Sequence, residues 1–253
     1  MTDPAAAAGV KYAGGAMRFP ATRRSVLERV RSADDGVRRD AFGDLAAGYW
    51  KPSYHYLRLQ WRLTAEEAED AVQAFFATAF EKQYLERYDP AQSKFRTFLR
   101  VCLDRFVQNL RKAAAADRRG GGMAFLSLDV PGAEREMDDM ATAIADPDRF
   151  FHDETVRFLF ARAVASLQAA CVDAGRDVVF RVFERHDLAP ASDTSYATVA
   201  RDLGISVSQV TNHLHAARKQ FRDMALGHLR ALSATDDEYR REAREVFGLE
   251  IEP

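Results

Sequence analysis

Little in this sequence advertises a chemical reaction. Two cysteines in 253 residues, Cys102 and Cys171, sit among apolar neighbours, which excludes a disulfide framework and leaves buried reduced thiols as the reading. No nucleophile–base pairing, metal-ligand spacing or glycine-rich phosphate loop can be recognised, so neither catalysis nor a cofactor is expected. His213 and His215 are two apart, on different sides of a helix, and do not share a metal. No apolar run approaches the length of a membrane span. The opening "MTDPAAAAGVKYAGG" has an early Asp3 and too short an alanine run for a secretory segment. A cytoplasmic protein is therefore expected. Internal repeats and a convincing strand ladder are also missing.

What is present is an ordinary balance, 47% hydrophobic and 29% charged with a formal net charge of −2, but the charges are segregated. Residues 92–119 hold eight Lys and Arg against two Asp, and residues 129–154 hold nine acids against two Arg. Segregation of this kind makes net charge a poor guide to partners. The pattern predicts an all-α fold of two helical domains joined by a flexible acidic linker. Residues 1–22, rich in Ala and Gly, read as a loose arm. Residues 23–117 form the first block, and 118–150, broken by a run of three glycines, Pro131 and Pro147, the linker. Residues 151–232 form the second block. The tail 233–253 reads as one amphipathic helix, with Tyr239, Ala243 and Val246 or Phe247 on one face.

In the first block, Thr64 with Glu67 makes a capping box that opens a helix. Ala68, Ala71, Val72, Phe75, Phe76, Ala79 and Phe80 recur at three- and four-residue spacing as its apolar face. Glu66, Glu69, Asp70 and Gln73 lie opposite, where acids near a helix start also favour the macrodipole. The next helix places Phe95, Phe98, Leu99, Cys102, Phe106 and Leu110 on its apolar stripe. Arg96 and Arg100 lie on the side expected to be exposed, with Arg111 further along and Lys94, Arg105 and Lys112 flanking. The polar loop "ERYDPAQSK" joins the two helices. These features predict a helical bundle with a candidate phosphate-binding face.

In the second block, "TSYATVARDLGISVSQVTNHLHAARKQF" has the spacing of a helix-turn-helix. Ser195 caps a helix that points Val199, Ala200 and Leu203 inward. Gly204 supplies a turn with positive φ, and Ile205 fills the corner. Ser206 with Gln209 caps a second helix that buries Val210 and Leu214. Ser208, Gln209, Thr211, Asn212 and His215 are left to face a DNA groove. Asn and Gln can bond adenine in bidentate fashion, and Thr can touch the thymine methyl. Arg218, Lys219 and Arg222 suit phosphates, which set register but carry no sequence information.

Two blocks, "AEDAVQAFF" with "KFRTFLRVCLDRFVQNLRK" and "SYATVARDLGISVSQVTNHLHAARKQFRDM", resemble the second and fourth regions of bacterial RNA polymerase sigma factors of the extracytoplasmic-function type, in the sigma-70 superfamily. The resemblance covers about residues 40–117 and 152–230. It implies that Glu69, Asp70 and Gln73 dock on core RNA polymerase. It implies that the loop Arg87 to Lys94, with Tyr88 placed for stacking, captures a flipped base of the promoter −10 element. Lys94, Arg96, Arg100 and Arg105 would then track the adjacent backbone, and the helix-turn-helix would read the −35 element in promoter DNA. The family is typically held by an anti-sigma protein, while some members rely on extensions or on phosphorylation.

The chain departs from the family pattern in two places. Arg105 stands where Asn is frequent, which leaves the −10 preference open. Thr211, Asn212 and His213 stand where Lys-Ser-Arg is familiar, which points to a different −35 sequence or weaker binding there. Two other readings compete. One is a stand-alone helix-turn-helix regulator that dimerises on a palindrome; the other is a helical enzyme using acids such as Glu66 and Asp70.

Overall fold

The computed structural model describes residues 26–114, 128–137, 144–188 and 195–251, and every regular element among them is helical. The fold is all-α. The proposed arm 1–22 and much of the proposed linker lie outside the described residues. In chain order the helices are α1 (Val26–Val30), α2 (Asp35–Gln60) and α3 (Ala65–Glu81). A 3-10 turn (Tyr84–Arg87) leads to α4 (Phe95–Ala114), followed by α5 (Val130–Met137) and α6 (Pro147–Asp173). Then come α7 (Asp177–Phe183), a π turn (Glu184–Leu188), α8 (Tyr196–Leu203), α9 (Val207–Leu232) and α10 (Asp236–Phe247).

Local chemistry explains where these helices begin. Asp34 accepts hydrogen bonds from the Gly36 and Val37 N–H groups at the start of α2. Thr64 and Glu67 form the capping box of α3, and the N–H and hydroxyl of Thr64 hold the Glu67 carboxyl below its usual pKa. Each such cap satisfies donors that have no partner within the helix. The α3 apolar face is buried at Ala68, Ala71, Val72, Phe75, Phe76 and Ala79. Phe80 is half-buried at its edge, 5.2 Å from the Phe42 ring.

On α4 the buried line is Phe95, Leu99, Leu103 and Val107, one position round from the stripe expected over Cys102, Phe106 and Leu110. Leu110 is 39% exposed, and Cys102 is half-buried rather than buried. The reason is the four-residue step: 95, 99, 103 and 107 make one row of a helix of 3.6 residues per turn, and that row is the one that joins the apolar core of the first block. Burial raises the thiol pKa of both Cys102 and Cys171, which keeps them as unreactive thiols.

The segment expected to be a flexible linker contains a helix. This is α5, and Ala133 is fully buried against the first block. Arg58 of α2 grips Glu134 with two N–H groups, at 2.7 and 2.8 Å, and the Tyr54 hydroxyl donates to the same carboxylate at 2.6 Å. His55, 1% exposed, faces Glu154 Oε2 at 2.6 Å with one ring nitrogen and the Ala133 carbonyl at 3.2 Å with the other. One imidazole therefore ties α2, α5 and α6 together.

The two blocks also share a core. Phe151 of α6, Leu232 at the end of α9 and Ala234 belong to the same apolar cluster as Phe42, Tyr49, Phe75 and Phe95. Two separate domains on a flexible tether were expected, and this shared core differs from that. Gly48 permits the contact: a Cβ there would lie 2.0 Å from Leu232 Cδ2. Tyr49 donates to the Leu232 carbonyl at 3.3 Å. Beyond the junction, Leu159, Ala225, Leu226 and Leu229 pack with Tyr239 and Ala243 of α10. Helix α6 is long and apolar enough, by length and composition, to cross a membrane, although no such run was expected from sequence. Here it packs between α2, α4, α7 and α9.

Glu134 offers a check on the docked linker helix. The Arg58 hydrogen bonds outweigh its burial and draw its pKa from 4.5 to about 2. A depressed carboxylate adds stability above its unfolded pKa, and that stability is lost as pH falls toward the folded value. Glu134→Gln is expected to lower unfolding stability by about 1–3 kcal/mol at pH 7. The difference from wild type should shrink between pH 4.5 and about 2, as urea midpoints measured across that range will show.

Candidate nucleic-acid interface

The α8–α9 pair is assembled by three local devices. Ser195 accepts from the Thr198 N–H at 3.2 Å. Gly204 ends α8 in the left-handed region, at φ 66° and ψ 33°, where only glycine is unstrained. Ser206 accepts from the Gln209 N–H at 3.1 Å, while Gln209 Oε1 accepts from the Ser206 N–H at 2.8 Å. Behind these caps Val182, Val199, Ala200, Val210 and Leu214 form a small core, with Leu203 and Ile205 packed on it. The inward residues are those the spacing requires.

The outward residues form one polar surface. Ser208, Gln209, Thr211, Asn212, His215 and Lys219 are all exposed. Two of them are partly committed. Thr211 donates its hydroxyl to the Val207 carbonyl at 3.1 Å. Gln209 gives one lone pair of its carbonyl oxygen to the cap, which leaves its amide donors free to turn outward and ties its acceptor to the start of its own helix. The Asn212 amide, exposed further along the same face, is not part of the cap.

Arg218 has a different role from the one expected of a phosphate contact. It is half-buried and holds Asp187 with two hydrogen bonds, each 2.7 Å. Asp187 belongs to the π turn, and its neighbour His186 bonds the same carboxylate at 2.7 Å and packs 5.2 Å from the Tyr196 ring. Burial raises the Asp187 carboxyl, but the Arg218 and His186 hydrogen bonds prevail and its pKa lies below the usual 3.8. Arg185 pairs in turn with Asp202 of α8. The two acids bind the α7 end to α9 and α8. Arg222 is half-buried one turn further along, and Lys219 carries exposed positive charge on this side.

On α3, Glu69 and Gln73 touch at 3.4 Å across one turn, with Glu66 and Asp70 exposed beside them. Among the described residues no cation pairs with Glu69 or Asp70. This face is polar, acidic and open.

The basic face of α4 is the reverse. Arg96 and Arg100, expected on the exposed side, have side chains 13% and 14% exposed. Lys94 Nζ lies 2.8 Å from Glu245, and Arg96 is paired with Glu242. Arg100 donates to Asp148 at 2.9 Å and to Asp104 at 2.7 Å. Tyr88, expected to stack on a base, is 2% exposed. Its ring meets Phe95 edge-on at 5.2 Å, and its hydroxyl donates to the Ser93 carbonyl at 2.8 Å. Arg105 is exposed. Arg111 lies over the Trp61 ring at 4.8 Å and donates to the Trp61 carbonyl. The partners Asp148, Glu242 and Glu245 come from helices distant in sequence, so spacing along α4 gave no sign of them.

No group of three or more His, Cys, Asp or Glu able to hold a metal occurs among the described residues. No family model, curated protein or solved structure matches this chain.

If Asp187 is a buttress for Arg218, the two side chains will be energetically coupled. Asp187→Ala and Arg218→Ala are each expected to lower stability by about 1–3 kcal/mol. The double variant should cost little more than either alone, which a double-mutant cycle of denaturant midpoints will measure.

Proposed function

We propose that this chain is a promoter-specificity subunit of bacterial RNA polymerase, a cytoplasmic protein that binds core enzyme and promoter DNA and carries no catalysis of its own. The observation that supports it most is the exposed polar front of α9, fixed by the Ser206–Gln209 cap and backed by Val210 and Leu214. A helix presented this way has the dimensions and chemistry to enter a major groove. In this reading Asn212 is the principal base reader, with Gln209, Thr211, Ser208 and His215 around it. Lys219 and Arg222 meet phosphates, and Arg218 keeps α9 at the right angle. The open face of Glu69, Asp70 and Gln73 docks on core polymerase.

The α4 face, with Lys94, Arg96, Arg100, Arg105 and Tyr88, serves the −10 element in the same reading, once its present partners are exchanged for DNA. An anti-sigma protein or another regulator fits the scheme as a further partner. The resemblance to extracytoplasmic-function sigma factors supplies this division of labour, and the exposed surfaces of α3 and α9 are compatible with it.

Core binding is the primary test, because the α3 face is open. Full-length protein is expected to bind purified core polymerase and to direct initiation on a subset of genomic promoters. Changing Glu69, Asp70 and Gln73 together to Ala should abolish core binding and leave helix content unchanged. Asn212→Ala should relax preference at one or two base pairs of the −35 element, by about 1–3 kcal/mol each. Failure to bind core, combined with tight binding to a palindromic duplex as a dimer, would replace this proposal with the stand-alone regulator.

A further inference from the structure

Helix α10 has two working faces. Tyr239, Ala243 and Phe247 pack on α6 and α9, with Phe247 stacked 5.4 Å from Phe160. Glu238, Glu242 and Glu245, at steps of four and three residues, share the opposite side and meet the beginning of α4. Glu238 is 4% exposed and accepts from the Phe95 N–H at 2.6 Å. That donor is in the first turn of α4, where N–H groups lack partners within the helix and favour an anion. Glu242 is paired with Arg96 and lies 3.5 Å from Lys94. Glu245 lies 2.8 Å from Lys94 and 3.7 Å from Arg96. Three carboxylates thus cover two cations and one helix start.

This contact is unlike a permanent core contact. Its chemistry is ionic, and Glu238, Glu242 and Arg96 have largely left water, which is costly even when they are paired. Burial and the neighbouring Glu242 push the Glu238 carboxyl up, and the Phe95 and Ala234 N–H groups only partly offset them. Glu242 Oε1 is buried 3.5 Å from Lys94 Nζ and makes no hydrogen bond among the described residues. A small cavity lined by Tyr49, Arg96, His152, Ser233, Glu238 and Glu242 remains at the seam. Glu245 is depressed, since its hydrogen bond and charge pairing with Lys94 outweigh its burial.

We propose that α10 is an anionic lid in cis: its three carboxylates occupy the positions that nucleic-acid phosphates would take on Lys94, Arg96 and the first turn of α4, and the lid must leave before that face can bind DNA. The proposal rests on the reading of α4 as a DNA-binding face. The chain as described is the closed form, with its −10 face covered and its α3 face free. It could therefore dock on polymerase before it is able to engage the melted strand.

Two measurements on the full-length protein test this. Zero-length carbodiimide coupling should join Lys94 to Glu245 in the free protein, found as a linked peptide by mass spectrometry, and excess single-stranded oligothymidylate should suppress it. Fluorescence anisotropy with labelled oligothymidylate should show E242Q/E245Q binding about tenfold tighter than wild type, because two competing anions are gone. Adding K94Q/R96Q should cancel the gain. E245Q alone, at the exposed edge, should give a smaller gain and guards against misfolding of the double variant. A gain that survives K94Q/R96Q, or no gain in a folded variant whose parent cross-links, makes α10 a structural brace and overturns the lid. Absence of the cross-link in wild type overturns it as well. If no variant binds oligothymidylate, with or without core polymerase, the DNA role of α4 falls together with the lid, while core docking through α3 stands or falls on its own assay.

Discussion

A guanidinium that leaves water must be met by an anion, and this requirement arranges the middle of the molecule. Arg58 is met by Glu134 of α5, Arg100 by Asp148 of α6, and Arg96 by Glu242 of α10. Each pairing draws a later segment of the chain back onto the first block. The apolar core alone would leave many ways for these helices to slide past one another. Charge pairs with fixed geometry select one arrangement, and the His55 bridge to Glu154 and Ala133 closes it from within.

Periodicity and capping made much of the local structure legible from sequence. The Thr64 and Ser206 capping boxes, the Gly204 turn, the α3 apolar face and the amphipathic α10 with Tyr239 and Ala243 all depend on residues within a few positions of each other. The α4 stripe was displaced by one position because its burial is decided by which neighbour it meets. The exposure expected for Arg96 and Arg100 failed for a related reason, since Glu242 and Asp148, which cover them, lie 48 or more residues away, although Arg100 also meets Asp104 on its own helix. Segregation of acids and bases along the chain was visible; which acid meets which base was not. Glu238, Glu242 and Glu245 could have been noticed as an acidic row, but nothing in their spacing names α4 as the surface they cover.

The candidate surfaces differ in how far their polar groups are already engaged. The α3 face and the α9 front expose theirs, although Gln209 and Thr211 are partly committed to their own helix. The α4 face is engaged at Lys94, Arg96 and Arg100, while Arg105 further along stays exposed. In the proposed function these states would correspond to steps: docking and duplex reading need no rearrangement of the chain, whereas contact with a melted strand does. Arg218 shows the same principle on a smaller scale, since a cation expected to meet phosphate is engaged by Asp187 within the chain.

Helix α9 runs without a break from the exposed Val207 to Leu232, which is seated in the core of the first block. At 1.5 Å per residue it is a rod about 39 Å long. A tilt of about 5° at the seated end carries the other end about 3 Å, close to the spacing between adjacent base pairs. In the proposed function, packing around Gly48 and Leu232 therefore sets the aim of Asn212. A substitution in that core would then shift which bases are read without touching a single reading residue.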